Sequence, residues 1–495
     1  MERLTTAQIK HLIDADSASV KKQKAAEGQR YYEAKHDILG YRMFYFNSDS
    51  KLVEDKFRTN TKICHPFFTE LSDQLVAHML SFEKNPIRAK EKADGLQEHL
   101  DRYFDEDFWA EIAELIGGTY NKGFEYIYAT KNAENKLRFE CADSMGVVEV
   151  REHEIDDKSK CIIYWYIDRL TDKNETVKKI QVWTDADVTF YEQIGSGEIE
   201  IDKDEEINPR PHVIYTDKDT GSKSGKSFGF IPFFRLGLNR KQRSGLEPIK
   251  ALIDDYDMMQ CGLSNNLADF DTPLHVVKGY NDENLDILQH NLKTKKLVGV
   301  DEDGGIEVHT VDIPYQARQA KASDDEKNIY RFGMGLNMSG LKDTTATTNL
   351  AIKAAYALLD MKSDRLEIRL KKLLRNDIIR SVLDEINAEH GTDYQQKDVE
   401  IIFERSTLTN DSENISNEKV KADTQQVQTT TILNIAESVG EEQTLKAICE
   451  VMDWDFEEIQ SQIKKMQKEN DLQTVKSALD SVEPDEPIEE PIVTE

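Results

Sequence analysis

The chain has 495 residues, with 94 acidic against 64 basic side chains and a formal net charge of −30. That length buries ample core in about two to four domains. No run of about 18 apolar residues is present that would cross a membrane, and Met1-Glu2-Arg3-Leu4-Thr5 has no hydrophobic leader core, so a cytosolic product without membrane contact is expected. The acidic balance argues against a tight, static grip on nucleic acid, which needs a basic footprint.

From Thr5 to about Gly118 the pattern predicts helices. Phe67, Leu71, Leu75, His78 and Met79 share one stripe, and Leu96, Leu100, Phe104, Phe108, Ile112 and Leu115 lie on others. The runs 124–128, 147–150, 161–166, 180–183 and 188–191 then predict an antiparallel meander, being β-branched or aromatic and separated by polar turns. Thr220-Gly221-Ser222-Lys223-Ser224-Gly225-Lys226-Ser227 ends like a phosphate-binding loop. Thr220 stands where the first glycine is required, and Phe228-Gly229-Phe230-Ile231-Pro232 is no helix, so a solvated hairpin is expected there.

A helix is predicted from Leu246-Glu247-Pro248-Ile249, since proline fits a first helical turn. Ala251, Leu252, Ile253, Tyr256, Met259, Leu263 and Leu267 form its stripe as far as Phe270-Asp271-Thr272-Pro273. After Pro273 come a short strand at 274–277, a helical turn or two at 285–292, and a strand at 297–300. The last is expected to pair antiparallel with 306–310 across Asp303-Gly304-Gly305. Beyond Pro314 a second helix runs over 315–332. The insert of about 45 residues between the helices is too small for a large core of its own and gains most if copies pack side by side.

Three glycines and four threonines between Gly333 and Thr348 predict a mobile loop. A helix capped by Thr348 or Asn349 follows, with Ile352, Ala355, Leu359, Leu366, Leu370, Leu373, Leu374, Ile378, Val382 and Ile386 on one face. It ends at His390-Gly391 and would be roughly 60 Å long. Val399–Phe403 is expected to return as a strand to the β section, and 414–468 as further helices. From Ser481 the tail carries Glu483, Asp485, Glu486, Glu489, Glu490 and Glu495 with three prolines and no base, and is expected to be disordered.

Searches for chemistry end without a catalytic, cofactor-binding or metal-binding set. His153-Glu154 lacks the second histidine of a zinc-protease helix, Asp157 standing there instead, and Asp301-Glu302-Asp303-Gly304 lacks calcium-loop spacing. Cys64, Cys141, Cys161, Cys261 and Cys449 include no CxxC pair and are expected as reduced thiols; the adjacency of Cys64 and His65 says little about a nucleophile. The basic groups Arg235, Arg240, Lys241 and Arg243, Lys293, Lys295 and Lys296, and Lys362, Arg365, Arg369, Lys371, Lys372 and Arg375 are expected as solvated faces or inter-subunit ion-pair partners in preference to phosphate contacts.

The order helix, insert, helix, loop, long helix suits many copies around an axis better than an active-site pocket. With it stand Tyr31-Tyr32-Glu33-Ala34-Lys35-His36-Asp37-Ile38, Asn60-Thr61-Lys62-Ile63, Lys84-Asn85-Pro86-Ile87, Gly123-Phe124-Glu125-Tyr126-Ile127-Tyr128 and Phe228 to Phe234 leading into Leu246 to Tyr256. As a set, over about Tyr31 to His390, they resemble the portal proteins of tailed bacteriophages, of the siphophage type. The resemblance implies an α+β, mainly helical fold in a ring of about twelve copies. It implies a wing over 1–245, a stem helix over 246–272, a clip over 273–314, a second stem helix over 315–333, a tunnel loop over 334–348, a long helix and returning strand over 349–412, crown helices over 413–470 and an acidic tail over 471–495.

The resemblance further implies that Gly335, Leu336, Asn337, Met338, Ser339, Lys342, Asp343, Thr344 and Thr345 face DNA in the tunnel, and that Lys293, Lys295, Lys296, Asp301, Asp303 and Glu307 of the clip dock partners. Those partners would be further copies of the chain, double-stranded DNA in transit, the large terminase subunit, a head-completion or adaptor protein, and the major capsid and scaffolding proteins. No cofactor is implied. The location would be a capsid vertex of the virion after assembly in the bacterial cytoplasm. A channel that must not hold DNA fits the acidic charge. The alternatives are a nucleotide-dependent packaging enzyme using Lys226, and a helical scaffold or adaptor.

Overall fold

Helices open the chain because caps and apolar stripes fall where a helix needs them. The computed structural model describes residues 3–465 apart from 57, 91–92, 94, 133–135, 152–158, 172–173, 217–222, 271–273, 279–304, 310–313, 338–348, 406–423, 425, 437–439, 453–455, 457–458 and 463. In it Thr5 and Gln8 form a reciprocal capping box for α1 (Thr6–Ser17), and Ser19 caps α2 (Val20–Tyr32). The described residues within 1–345 and 353–407 form one compact unit, and those within 346–352 and 408–495 a second.

In the first unit, α3 (Phe67–Met79), α4 (Leu96–Tyr103) and α5 (Glu106–Lys122) bury the expected stripes. Leu71, Leu75, Met79, Leu96, Leu100, Phe104, Phe108, Ile112 and Leu115 all lie in one core. The close approach of α2 to α5 depends on Gly28, where an added Cβ would sit 1.9 Å from the Asn121 carbonyl oxygen. Backbone cannot step aside as a side chain can, so Gly28→Ala is expected to lower stability by about 2–4 kcal/mol in a urea titration.

Among the described residues, strands precede and follow these helices. β1 (Phe44–Phe46) pairs antiparallel with β2 (Leu52–Glu54). β3 (Ile87–Ala89) lies between α3 and α4. The section after α5 comprises β4 (Phe124–Lys131), β5 (Leu137–Ala142), β6 (Val147–Val150), β7 (Cys161–Leu170), β8 (Thr176–Trp183), β9 (Val188–Ile194), β10 (Glu200–Ile201), β11 (Val213–Thr216), β12 (Lys223–Lys226) and β13 (Phe233–Gly237). β6 to β10 form the expected meander in strand order. The run 124–128 does not belong to it: β4 pairs with β5 and β13 in a separate sheet. Aromatic rings from both sheets, including Phe124, Tyr126, Phe190 and Phe233, close a second core between them.

β11 and β12 form the hairpin expected around the phosphate-loop lookalike. Lys226 sits on a strand opposite Val213 rather than at the start of a helix.

α6 (Lys250–Phe270) starts one turn later than Pro248 predicts; the Leu246 carbonyl accepts from Ile249 and Lys250 in the turn before it. After α6, β14 (Leu274–Lys278) pairs antiparallel with β15 (Gly305–His309), so the two ends of the insert meet just before α7 (Tyr315–Gly333). The expected partner of this run, 297–300, lies outside the described residues.

The long helix is present as α8 (Asn349–Leu373), a π-helical turn at Leu374–Ile379 and α9 (Arg380–His390), closed by Gly391 in the left-handed region at φ +67°. The π turn holds one more residue per turn than an α-helix. Adjacent pairs Leu373/Leu374, Ile378/Ile379 and Val382/Leu383 are all buried, where a single stripe was expected.

The returning strand is β16 (Val399–Ile401), three residues long, and its destination differs from the expectation. It pairs with β3 beside the N-terminal helices, not with the β section. In the second unit, residues 426–434 and α10 (Glu441–Met452) are helical, as expected for part of 414–468. The acidic tail lies outside the described residues.

Candidate functional site

The fold brings two constructions together around α3 and α6: a strap that fixes α6, and an anchor that fixes the root of the expected tunnel loop. In α6, Asp257, Cys261, Asn265 and Asp269 recur every fourth residue and so face one way. Each receives a backbone N–H from an extended segment beside the helix. His65 donates to Asp257 Oδ1 (3.0 Å), Ile63 to Cys261 Sγ (3.2 Å), Thr61 to Asn265 Oδ1 (2.7 Å) and Thr59 to Asp269 Oδ1 (3.3 Å). Four helical residues rise about 6.0 Å and two extended residues about 6.6 Å, so the two ladders stay in register over this length.

The apolar stripe expected for α6 holds only at its start, where Ile253 is buried and Leu252 and Tyr256 pack against the core. The buried face is Ile253, Asp257, Cys261 and Asn265, while Leu267 is 51% exposed. The carboxylate of Asp257 is fully buried; its Oδ2 lies 2.5 Å from His36 Nδ1 and its Oδ1 2.7 Å from His65 Nδ1. Burial pushes this carboxyl up, but the hydrogen bonds from His36 and His65 outweigh it and hold the group below the usual carboxylate range. Two turns earlier, Lys250 Nζ bridges Asp37 Oδ2 (2.5 Å) and Asp254 Oδ2 (2.7 Å), and Tyr31 donates its hydroxyl to Asp254. The runs Tyr31–Ile38, Asn60–Ile63 and Leu246–Tyr256, far apart in the chain, therefore converge on one face of α6.

At the loop root, α7 ends in Met334 with φ +54°, and Gly335 N–H returns to the Tyr330 carbonyl at 2.9 Å. Gln74 of α3 grips the next residue at both ends. Its Oε1 accepts from Leu336 N–H and its Nε2 donates to the Leu336 carbonyl, each at 2.9 Å. Gly335 packs so closely that a Cβ there would lie 2.1 Å from Leu71 Cδ2.

Under this corner, Lys362 of α8 is buried with no carboxylate partner among the described residues. Its Nζ donates to the carbonyls of Gly333 (3.1 Å) and Leu71 (3.3 Å), 4.7 Å from the Tyr120 ring centroid. Burial lowers its pKa to about 7. His78 Nε2, 2.7 Å from Asp360 Oδ1, makes a second tie between α3 and α8.

The expected site residues divide accordingly. Gly335 and Leu336, expected to face DNA, are buried against α3 and serve as the anchor. Asn337 follows, with Nδ2 3.4 Å from Glu326 Oε1. Met338, Ser339, Lys342, Asp343, Thr344 and Thr345 lie outside the described residues. So do Lys293, Lys295, Lys296, Asp301 and Asp303, whereas Glu307 is exposed on β15. Of the basic groups, Arg235 pairs with Glu149, Arg243 with Glu247 at 3.5 Å and Lys371 with Glu367 at 2.7 Å.

Two clusters have donor sets that a cation would accept. His36, Cys64 and Asp257 bring donor atoms within 4.8 Å of one another, as do Glu192, Asp202 and Asp204. Hydrogen bonds already occupy both Asp257 oxygens, and the ammonium of Lys179, 2.8 Å from Asp202 and 3.2 Å from Asp204, already neutralises the acidic set. In a cleft of about 840 Å³ lined by Glu149, Ser159, Arg235, Asp377 and Arg380, the Ser159 hydroxyl donates to Glu149, a carboxylate already paired with Arg151 and Arg235.

Comparison with known proteins gives a consistent result. The family model described as "Phage portal protein, SPP1 Gp6-like" matches residues 10–473. The portal protein of Bacillus phage SPP1 is 25% identical over 419 residues, covering 82% of this chain and 78% of that protein. The portal protein of Clostridium phage phiCD119 is 22% identical over 429 residues, covering 82% of this chain and 87% of that protein.

Proposed function

The chain belongs to the SPP1 Gp6-like phage portal proteins, and from that premise we propose that copies of it form a ring at one capsid vertex through which viral DNA is packaged and later ejected. The observation that carries the reading is the family match across nearly the whole chain. In this reading α6 and α7 are the two stem helices, and the insert whose ends meet at β14 and β15 is the clip that docks the packaging motor and then the head-completion proteins. The residues after Leu336 form the tunnel loop. The chain acts as a structural protein, and the large terminase subunit supplies the energy of packaging.

The strap and the loop anchor support this assignment physically. A helix that transmits position between a docking surface and a channel must hold its register, and the backbone ladder on α6 holds it. A loop that meets moving DNA needs a fixed base, which Gln74 and Lys362 supply.

Electron microscopy and native mass spectrometry of the purified protein test the reading. A closed ring of about twelve copies with a central channel is expected, and a particle that stays monomeric or dimeric under assembly conditions overturns it. Deletion of 338–348 is expected to leave rings intact while abolishing packaging or retention of DNA. Loss of rings in that variant would reassign the loop to subunit contact.

A further inference from the structure

The long helix has a second face that none of the described residues covers. Leu358, Met361, Arg365, Ile368, Lys372 and Arg375 follow one another at alternating steps of three and four residues and so form a single stripe. Ile368 is 71% exposed, Met361 49% and Leu358 37%. Arg365, Lys372 and Arg375 are exposed as well, and among the described residues none of them, nor Arg369 beside them, has an ion-pair partner. Neighbouring cations contrast with them: Arg405 pairs with Asp364 at 2.8 Å, and Lys371 with Glu367.

We propose that this stripe is the seat for a second copy of the chain in the ring, so that α8 carries one half of the subunit interface on the face opposite its own core. The proposal rests on the portal reading above. Charge complementarity selects the occupant. A chain of net charge −30 offers predominantly acidic surface, which four unpaired cations would attract, whereas two acidic surfaces repel. The apolar members decide against DNA: a phosphate backbone gives Ile368, Met361 and Leu358 nothing to bury against, while protein interfaces favour arginine and methionine beside aliphatic contact. A ring contact is heterologous, so the covering surface must be a different part of the next copy. Exposed apolar side chains exist there to meet the stripe, Phe44, Phe46 and Leu52 of the β1–β2 pair being 53%, 72% and 61% exposed.

The photo-crosslinking residue benzoylphenylalanine placed at position 368 of the full-length chain tests this together with Ile368→Asp and the double variant Arg365→Glu/Lys372→Glu. Wild-type protein should form rings, the crosslinker should join chain to chain, and both variants should reduce the ring fraction by about tenfold or more at equal concentration, with unchanged circular dichroism and melting temperature. Rings that form normally in both variants and show no crosslink between chains overturn the proposal and leave the portal reading standing. So does a crosslink from position 368 to added double-stranded DNA in place of protein. Wild-type protein that never forms rings overturns both.

Discussion

Asp257→Ala lowers the stability of the folded chain by about 3–5 kcal/mol, because it strips a buried carboxylate from three donors at once. His36 Nδ1, His65 Nδ1 and the His65 backbone N–H all converge on it, and alanine leaves them without that acceptor. Asp257→Asn is expected to cost less, since its amide oxygen still accepts from the backbone and from one ring. The pH dependence has a definite sign. The folded pKa of Asp257 is depressed, so its stabilisation is fully present above the ordinary carboxylate pKa and is lost as pH falls through the lower folded value. The gap between wild type and Asp257→Ala therefore persists at neutral pH and narrows only in acid. Urea denaturation followed by tryptophan fluorescence reads the effect. A change under about 1 kcal/mol at pH 7 would mean that the three donors find other acceptors, and that the strap is not held at this point.

Lys362→Met removes a pH dependence that the wild type carries. An unfolded lysine titrates near 10.5, whereas Lys362 in the folded chain titrates at about 7. Between these values the unfolded state binds more protons, so wild-type stability rises with pH across that window and is flat for this group below it. Methionine, with similar length and no charge, is expected to be the more stable form at pH 6, and that advantage should shrink by an amount on the order of 3 kcal/mol as pH approaches 10. Parallel stability profiles for the two proteins would refute the burial of an unpaired ammonium beneath the Gly333 carbonyl. Because Lys362 holds the turn from which the loop departs, the same substitution is expected to raise hydrogen exchange at Gly335 and Leu336 more than at residues of α5.

Apolar periodicity located the helices of the N-terminal region and the long helix because their faces are covered by hydrocarbon, and spacing alone reports that. It misread α6 beyond Tyr256 for a physical reason: the buried face there meets an extended backbone, whose N–H groups need acceptors, so Asp257, Asn265 and Cys261 take the inside positions and Leu267 an outside one. The four-residue recurrence of Asp257, Cys261, Asn265 and Asp269 was available as a signal, but a helix face with such groups reads as solvated unless the strap is known. Gly335 and Leu336 likewise read as loop from local composition, and their burial comes from Gln74, more than two hundred residues earlier in the chain. Lys362 sits among other cations on a helix, and the Gly333 and Leu71 carbonyls and the Tyr120 ring distinguish it from them. The portal resemblance needed none of these contacts, since it rests on the order of short runs; those runs prove to be neighbours in space.

The pairing of β3 with β16 places a constraint on when the chain can finish folding. Lys90 N–H reaches the Asp398 carbonyl at 2.9 Å and Ile402 N–H the Pro86 carbonyl at 2.8 Å, so this clasp joins segments separated by more than half the chain. A ribosome releases Ile87 long before Ile401 exists, and until then β3, whose Ile87 ends up buried, stands without its partner strand between α3 and α4. The N-terminal helices thus wait for α6 to α9 to be synthesised, and closure of this part of the chain becomes a late event in its folding.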